Sequence, residues 1–347
     1  MKPKTSFWQK ESFFHERDLI IVGAGLAGLW LAFNLKIKNQ KLKILILEKG
    51  DFPDGASLRN AGFACFGSPS EILADYSIMG EEVWNILDHK IQGIRMMREF
   101  LGDEAVNYDP SGGYECIIGS DNISKLRDKV EILNQKLYPM TQNTQVFSWC
   151  GHERMEDMGL TCFSGMIQNR LEGSIHSGML IKELMKRVKV MGVEILTSME
   201  VVKYAEEKFF VHLLTSKGYQ FACRKLFICT NGLTKKLVKD APMRPARGQI
   251  ILTSEIPNLP LRGTFHATEG FYYFKNLGNR VLLGGGRNFD MEGEMTTDTC
   301  TTQPIKEHLQ DFMRRHILFG RHYRIEYDWA GTMALTELKK PLAYSPR

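Results

Sequence analysis

The segment "DLIIVGAGLAGLWLAFNL", residues 18–35, gives the strongest indication of the fold class. Its apolar run at 19–22 is typical of a strand that is buried on both faces in a parallel sheet. Apolar residues then recur with helical spacing over 26–35. A second apolar run follows in "KLKILILEKG", residues 41–50, and ends at Glu48. Strand, glycine-rich turn, helix and strand together predict a βαβ unit.

The turn of this unit carries the spacing G-x-G-x-x-G at Gly23, Gly25 and Gly28. The first glycine permits a tight bend, the second lets the backbone approach a pyrophosphate, and the third lets helix and strand pack closely. The helix N-terminus adds amide donors and a positive dipole end. Glu48 lies 20 residues after Gly28, where an acidic side chain can accept from ribose hydroxyls. The motif predicts a dinucleotide site and leaves NAD and FAD open.

A second segment of small residues, "GASLRNAGFACFG" at 55–67, favours FAD. The isoalloxazine extends beyond the pyrophosphate and needs backbone packed near it. Arg59 can offer charge-assisted hydrogen bonds to a phosphate, and Asn60 can bond within the loop. Cys65 has a functional interpretation, as a flavin-proximal thiol, a covalent flavin attachment point or a redox sensor, and a structural one, as a small buried apolar residue between two phenylalanines. The second is favoured, because no adjacent base would lower the thiol pKa.

Composition narrows the class of protein. The 347 residues are long for one core and predict two lobes, and 43% hydrophobic with 24% charged residues is ordinary for a globular protein. The formal net charge is +5, and the lysines and arginines are scattered along the sequence. They do not form the basic cluster that is typical of nucleic-acid-binding proteins. The expected partner is therefore a small-molecule substrate, with no nucleic acid.

The cysteines and the hydrophobic segments indicate where in the cell the protein is expected. Seven cysteines with no C-x-x-C spacing argue against a disulfide framework and a metal site, and favour the cytoplasm. The N-terminus lacks the continuous apolar run of a signal peptide. No stretch is long enough to predict a transmembrane segment.

Downstream, the pattern predicts helices at 81–101 and 123–137 and a β-rich remainder. Residues 272–283 predict a hairpin that turns at 276–279. The fold class is therefore α/β, with one βαβ core and a β-rich second lobe interleaved in sequence.

At this point the sequence resembles a known family. Six motifs occur in the order found in FAD-dependent oxidoreductases of the D-amino acid oxidase superfamily: "GAGLAGLWLA", "GASLRNAG", "CTNG", "RPARGQ", "GFYYFKNLGNRVLLGGG" and "DWAGTM". The resemblance implies a Rossmann-type FAD-binding domain interleaved with a β-rich, α+β substrate domain. The implied segments are 18–80, 160–242 and 322–347 for FAD, 81–159 and 243–321 for substrate, and 1–17 as an N-terminal extension.

The resemblance also implies a set of FAD-binding residues. Gly23, Gly25 and Gly28 would hold the pyrophosphate, and Glu48 the adenosine ribose. The backbone of Val201 would meet the adenine. The other implied contacts are Lys49, Ser57, Arg59, Asn60, Ala61, Gly62, Thr230, Asn231 and Gly232.

The implied chemistry is oxidation of a C–N bond, or of a C–O bond in the hydroxy-acid branch. A hydride passes from the substrate carbon to flavin N5, and the electrons leave to oxygen, a quinone or a carrier. The candidate catalytic or substrate-binding residues are Tyr272, Tyr273, His266 and Arg287. Tyr272 and Tyr273 would point to opposite faces of a strand, so only one can face the flavin.

Two departures from the family pattern affect the expected substrate and completeness. Amino-acid oxidases of this superfamily usually carry an arginine just after the glycine of the segment "WAGTM", and here Thr332 and Met333 stand there. That arginine clamps a carboxylate, and Arg287 or Lys275 would have to replace it. The family also continues beyond the closing "KKPLAYSPR", residues 339–347, so the sequence indicates a missing element or a fragment.

Three alternatives to an amine-oxidising enzyme therefore stay open. One is an FAD-dependent 2-hydroxy acid dehydrogenase. Another is a flavin domain of the tRNA-modifying type, which predicts a contiguous basic face. The third is a truncated, non-catalytic flavin-fold protein, which predicts little retained FAD.

Overall fold

The computed structural model describes residues 5–343, so residues 1–4 of the expected extension and 344–347 of the last expected segment lie outside it. Strands form two large sheets and one two-stranded ribbon. The strands are β1 Arg17–Val22, β2 Ile44–Leu47, β3 Phe63–Ala64, β4 Gly113–Ile117, β5 Phe147–Trp149, β6 Gly165–Asn169, β7 Gly173–Ser174, β8 Glu194–Leu196, β9 Val201–Glu206, β10 Val211–Thr215, β11 Gln220–Ile228, β12 Arg244–Thr253, β13 Thr264–Ala267, β14 Tyr272–Leu277, β15 Arg280–Gly285 and β16 Ile325–Leu335.

Helices cover both sheets. They are α1 Phe7–Phe13, α2 Leu26–Lys38, α3 Ala56–Arg59, α4 Pro69–Met79, α5 Glu82–Leu101, α6 Asp103–Val106, α7 Ser120–Thr141, α8 His152–Asp157, α9 Ser177–Val190 and α10 Gln303–Phe312. Two 3₁₀ turns lie at Asn231–Lys236 and Arg287–Phe289, and a π-helical turn at Met313–Ile317. The helices predicted at 81–101 and 123–137 correspond to α5 and α7.

The six-stranded sheet has the order β8-β2-β1-β11-β10-β9. Strands β1, β2, β8 and β11 run parallel, with Leu19 beside Ile44 and Val22 beside Ile228. Strands β9 and β10 add an antiparallel meander to this edge. Helices α2 and α9 cover one face and bury Leu29, among others, against β1 and β2. The predicted βαβ unit is thus β1-α2-β2.

The eight-stranded sheet has the order β16-β12-β15-β14-β13-β4-β6-β5. The predicted hairpin is β14–β15, and its two-residue turn contains Gly278 with a φ of +58°. Strands β6 and β16 pair with β4 and β12 in this sheet. Residues 165–169 and 325–335, which the expected segmentation includes in the FAD-binding domain, form strands of this sheet, and the domain boundaries stay a prediction.

The mixed α/β class with two interleaved sheets is confirmed. Within residues 5–343, no helix is both long and apolar enough to cross a membrane. All seven cysteines are free thiols. The described part of the chain also contains no cluster of three histidine, cysteine or acidic side chains that could hold a metal ion.

Candidate functional site

The turn between β1 and α2 has no room for a side chain at two of its three glycines. Gly23 has a φ of +107°, and a Cβ there would press on the carbonyl oxygen of Cys229. A Cβ at Gly28 would overlap the carbonyl oxygen of Gly23. The first and third glycines therefore serve the bend and the close helix packing that the motif predicts.

Gly25 differs, because its extended backbone is open to any residue. It is the N-cap residue of α2, and a Cβ on it would lie 2.9 Å from Ser57 Oγ. That hydroxyl accepts a 2.9 Å hydrogen bond from the N–H of Leu26 in the first helical turn. The missing side chain leaves the helix N-terminus open to a negatively charged group. The residues present therefore fit the pyrophosphate of FAD.

Glu48 is buried directly after β2 and orders the glycine turn. One carboxylate oxygen accepts from Ala24 N at 2.8 Å, and the other accepts from Gly50 N at 3.1 Å. An ionised carboxylate has about four acceptor sites, so capacity remains for ribose hydroxyls. The position fits the expected ribose contact, and the structure adds a role in holding the turn.

Arg59 is engaged within the protein. Its guanidinium contacts the carboxylate of Asp54 at 2.6 Å and donates to the carbonyl of Ala330 at 3.0 Å. The indole N–H of Trp329 donates to the carbonyl of Arg59 at 3.0 Å. Arg59 thus joins α3 to β16, and its expected contact with a phosphate stays a prediction.

Asn60 holds the loop that follows α3. Its amide nitrogen donates to the carbonyls of Ala56 and Ser57, and its oxygen accepts from Gly62 N and from the hydroxyl of Ser177. The side chain is therefore fully used within the loop, as the sequence predicts.

Asn231 joins the six-stranded sheet to β16. Its amide donates to the carbonyl of Thr332 at 2.8 Å and accepts from Ala334 N at 2.9 Å. A Cβ on Gly232 would overlap the Thr332 side chain. These residues shape the junction of the two sheets, and their contact with the cofactor stays a prediction.

Three other expected FAD-binding residues have ordinary surroundings. Val201 is buried at the start of β9. Lys49 is exposed just after β2. The hydroxyl of Thr230 lies 3.2 Å from that of Thr234. Their cofactor contacts also stay predictions.

A cavity of about 450 Å³ begins at the N-terminus of α2 and ends at the eight-stranded sheet. Its wall combines helices α2, α3, α4 and α9 with strands β13 and β14 of the eight-stranded sheet. The lining residues are Leu26, Ala56, Ser57, Asn60, Ala61, Phe63, Cys65, Glu71, Ile175, Leu180, His266, Gly270 and Tyr273. Ser57, Asn60 and Ala61 belong to the expected cofactor set, and His266 and Tyr273 to the expected catalytic set.

His266 lies on β13 at one wall of this cavity and is only 7% exposed. Its Nδ1 is 3.3 Å from a carboxylate oxygen of Glu71. Its Nε2 is buried and has no hydrogen-bond partner within the described chain. This pattern assigns the proton of the neutral ring to Nδ1, so that Nε2 presents a lone pair.

Glu71 opens helix α4 and is held in place. It accepts from the N–H of Ser68 at 2.8 Å, and Gly270, with a φ of +78°, leaves room for its carboxylate. Burial acts to raise the pKa of Glu71, but the charge of His266 and the Ser68 N–H bring that pKa below its usual value. The carboxylate is therefore ionised beside the imidazole at neutral pH.

The two adjacent tyrosines of β14 point to opposite faces, as the sequence predicts. Tyr273 lines the cavity, and burial raises its pKa to about 12. Tyr272 instead stacks on Phe312 with ring centroids 4.0 Å apart, and its hydroxyl meets His308. Tyr272 is therefore a core residue, although the sequence proposed it as a catalytic candidate.

Arg287 is also outside the cavity lining. Its guanidinium lies 5.8 Å from the ring centre of Phe271 and contacts Met291. The sequence proposed Arg287 as catalytic or carboxylate-binding, but no contact with the cavity supports this.

Lys275 is buried behind the loop of Gly62. Its Nζ donates to the carbonyls of Gly62 and Ile175, both at 3.2 Å. Burial lowers the pKa of Lys275 to about 8. The side chain thus fastens β14 to the loop that carries Asn60 and Phe63.

Two further carboxyl groups lie close to the dyad of His266 and Glu71. Glu172 accepts from Phe66 N and Gly67 N, and burial raises its pKa to about 7. Glu115 lies beside His266 in the parallel pairing of β4 and β13, and burial raises its pKa as well.

These surroundings disfavour ionisation of the Cys65 thiol. Burial, and then the negative charges of Glu172 and Glu71, hold the pKa of Cys65 well above its usual value. A thiol that stays protonated is a poor nucleophile. Cys65 is nevertheless half-buried and lines the cavity, so its side chain faces the space that the flavin is expected to enter.

Sequence reasoning missed Glu71, because "SPSE" at 68–71 predicts only the start of a helix. Glu71 and His266 are 195 residues apart, and no local signal joins them. The one sequence signal for Glu71 was its place in a capping pattern directly after the small-residue segment at 55–67.

A family model described as FAD dependent oxidoreductase matches residues 18–344. No curated protein sequence matches the chain significantly. Among solved structures, L-proline dehydrogenase from P. horikoshii has a TM-score of 0.70 at 15% identity, over 93% of this chain and 83% of that one. Glycine oxidase from Geobacillus kaustophilus has a TM-score of 0.68 at 18% identity, over 94% and 85%. L-amino acid deaminase from Proteus vulgaris has a TM-score of 0.69 at 16% identity, over 94% and 85%.

At these identities the solved structures show the shared fold alone. The family match, in contrast, spans all but the first 17 and last three residues. The cofactor expected from the glycine turn and the small-residue segment is thereby confirmed as FAD. The protein belongs to the D-amino acid oxidase family of FAD-dependent oxidoreductases.

Proposed function

We propose that this protein oxidises the C–N bond of an amine or amino-acid derivative. The observation that carries the proposal is a continuous cavity from the N-terminus of α2 to the buried imidazole of His266. When bound, FAD accepts the hydrogen and the two electrons that leave the reacting carbon.

His266 is proposed to hold and accept the proton of the substrate nitrogen at Nε2. An ammonium group must lose a proton before its lone pair can form a C=N bond, and Nε2 offers a buried acceptor. Glu71 would fix the ring tautomer and stabilise the charged imidazole. The ring of Phe63 lies edge-on to His266 and Tyr273, at 5.2 and 6.1 Å between centres, and would exclude water.

The first test is the visible absorption spectrum of the purified protein, before and after acid precipitation. We expect a flavin spectrum that moves to the supernatant, because the Cys65 thiol is poorly suited to covalent attachment. Amines, amino acids and 2-hydroxy acids are then added separately without oxygen. We expect the amines or amino acids to bleach the flavin. Bleaching by hydroxy acids alone would refute the proposal.

The role of His266 has a separate test. His266→Asn should lower the rate of anaerobic bleaching about 100-fold, because the buried proton acceptor is lost. The flavin spectrum should not change. His89→Asn, on the exposed side of α5, is the matched control. An unchanged bleaching rate in His266→Asn would show that the substrate needs no protein base.

The second candidate is dehydrogenation of a 2-hydroxy acid. The pair of His266 and Glu71 suits this reaction as well, because oxidation of a hydroxyl group also releases a proton that needs an acceptor. The electron acceptor, oxygen or a quinone or carrier, follows from the rate at which air reoxidises the bleached flavin. We also propose a cytoplasmic location, on the ground that the seven cysteines are free thiols.

A further inference from the structure

We propose that the cavity selects an amine that carries no carboxylate on the reacting carbon, with its nitrogen bound at His266 beside Glu71. This inference rests on the proposed function and narrows it to a substrate class. It would set this protein apart from enzymes that clamp an amino-acid carboxylate.

The first argument is the charge of the lining. Of the thirteen residues around the cavity, none is an arginine or a lysine, and the one charged carboxylate is Glu71. A bound carboxylate would lose its hydration without gaining an ionic partner, which is a large cost. An ammonium group would meet the opposite charge.

The second argument is that the neighbouring cations are engaged elsewhere. Arg247 is held by Glu294 at 2.6 Å, and Arg59 by Asp54. Lys275 donates to two backbone carbonyls, and Lys90 donates to the carbonyl of Phe66. Freeing Arg247 or Lys275 would leave buried acceptors unsatisfied, so a replacement clamp from these two side chains is costly.

The third argument concerns hydrogen bonding. In the neutral ring the proton is on Nδ1, facing Glu71, and the unpartnered Nε2 of His266 is then an acceptor. The two donor hydrogens of Asn60 already serve carbonyl groups. The wall near the imidazole thus offers acceptors that suit N–H groups, and it lacks the paired donors that a carboxylate requires.

The test of binding uses two ligands of one shape, tert-butylammonium and pivalate, neither of which has a hydrogen on the central carbon. Each ligand is titrated into the FAD-loaded protein by calorimetry. The Kd of tert-butylammonium should be at least about tenfold lower than that of pivalate. Tighter binding of pivalate, or equal binding of the two, would overturn the proposal.

Two variants assign the effect to Glu71. Glu71→Gln should abolish the preference for tert-butylammonium, whereas Glu82→Gln, which removes an exposed carboxylate of α5, should leave it unchanged. Retained FAD colour and an unchanged melting temperature serve as folding controls. A preference that survives in a Glu71→Gln variant that retains FAD colour and melts normally would overturn the role of this carboxylate.

A matched pair of substrates separates this inference from the proposed function. Phenethylamine should bleach the flavin anaerobically, and phenylalanine of either hand should do so at least about tenfold more slowly. Faster bleaching by phenylalanine would leave C–N oxidation standing and overturn the inference. If no nitrogen compound in the panel bleached the flavin, the proposed function and this inference would both fail.

Discussion

At the scale of single residues, Glu172 makes stability depend on pH. Burial raises its pKa to about 7 from an ordinary value of 4.5, so the folded chain holds a proton that the unfolded chain releases. Between these values the folded state binds more protons, and stability therefore falls as the pH rises. Above pH about 7 the full penalty applies, on the order of 3 kcal/mol.

We expect Glu172→Gln to remove this dependence, because glutamine mimics the protonated acid and can still accept from Phe66 N and Gly67 N. The variant and the wild type should melt alike near pH about 5, and the variant should melt about 4 °C higher near pH about 8. Thermal unfolding over this pH range is the measurement. A wild-type advantage at the higher pH would show that Glu172 is ionised and favourably paired.

Gly25 offers a second residue-scale prediction. Gly25→Ala should fold, because its backbone is extended and the new Cβ meets only the movable hydroxyl of Ser57. It should weaken FAD binding about tenfold or more, since the backbone can no longer approach the pyrophosphate closely. Titration of the apoprotein with FAD, followed by flavin fluorescence, measures this.

The control for that substitution is Gly93→Ala, in open space on the exposed face of α5. It should leave FAD binding unchanged and raise stability by about 1 kcal/mol, because alanine favours the helix. Equal FAD affinity in both variants would argue against a pyrophosphate at Gly25.

At the scale of elements, a buried ion pair fastens the segment before α10 to β12. Arg247 and Glu294 are 6% and 2% exposed, and Gln249 donates to the same carboxylate at 2.8 Å. Glu294→Gln would leave the buried guanidinium with the exposed carboxylate of Asp298, 3.4 Å away, as its remaining charge partner. The expected loss of unfolding free energy is about 3–5 kcal/mol, measured by urea denaturation.

The exposed pair of Arg314 and Asp311 provides the comparison. Asp311→Asn should change stability little, because solvent screens the pair. A similar loss in both variants would mean that burial does not determine the strength of the Arg247 pair.

Elements with local signals could be predicted from the sequence. The alternation and turn residues at 272–283 define the hairpin β14–β15, and the glycine spacing defines β1-α2-β2. The partners of β6 and β16 could not be predicted, because alternation identifies a strand without identifying its neighbour. Both strands lie in the eight-stranded sheet through pairings with β4 and β12.

The candidate site shows the same limit at the scale of the whole molecule. The cofactor side could be predicted, since Gly23, Gly25 and Glu48 lie within one βαβ unit. The substrate side could not, because His266 and Glu71 meet only when β13 and α4 converge on the cavity. The sequence even proposed Tyr272 and Arg287, which the fold turns away from the cavity lining.

Removal of FAD should therefore affect the glycine turn before α2 and also the eight-stranded sheet. A ligand that binds only the folded state stabilises it by about 2.7 kcal/mol at 100 times its Kd, so the apoprotein should melt lower and recover as FAD is added. Because the cavity runs from the first turn of α2 to strands β13 and β14, FAD should slow amide hydrogen exchange at residues 23–28 and also at 60–65 and 272–274. Protection confined to 23–28 would mean that the flavin ring does not occupy the cavity of His266. Protection at all three places would indicate that one bound FAD reaches from the glycine turn to the proposed amine site at His266.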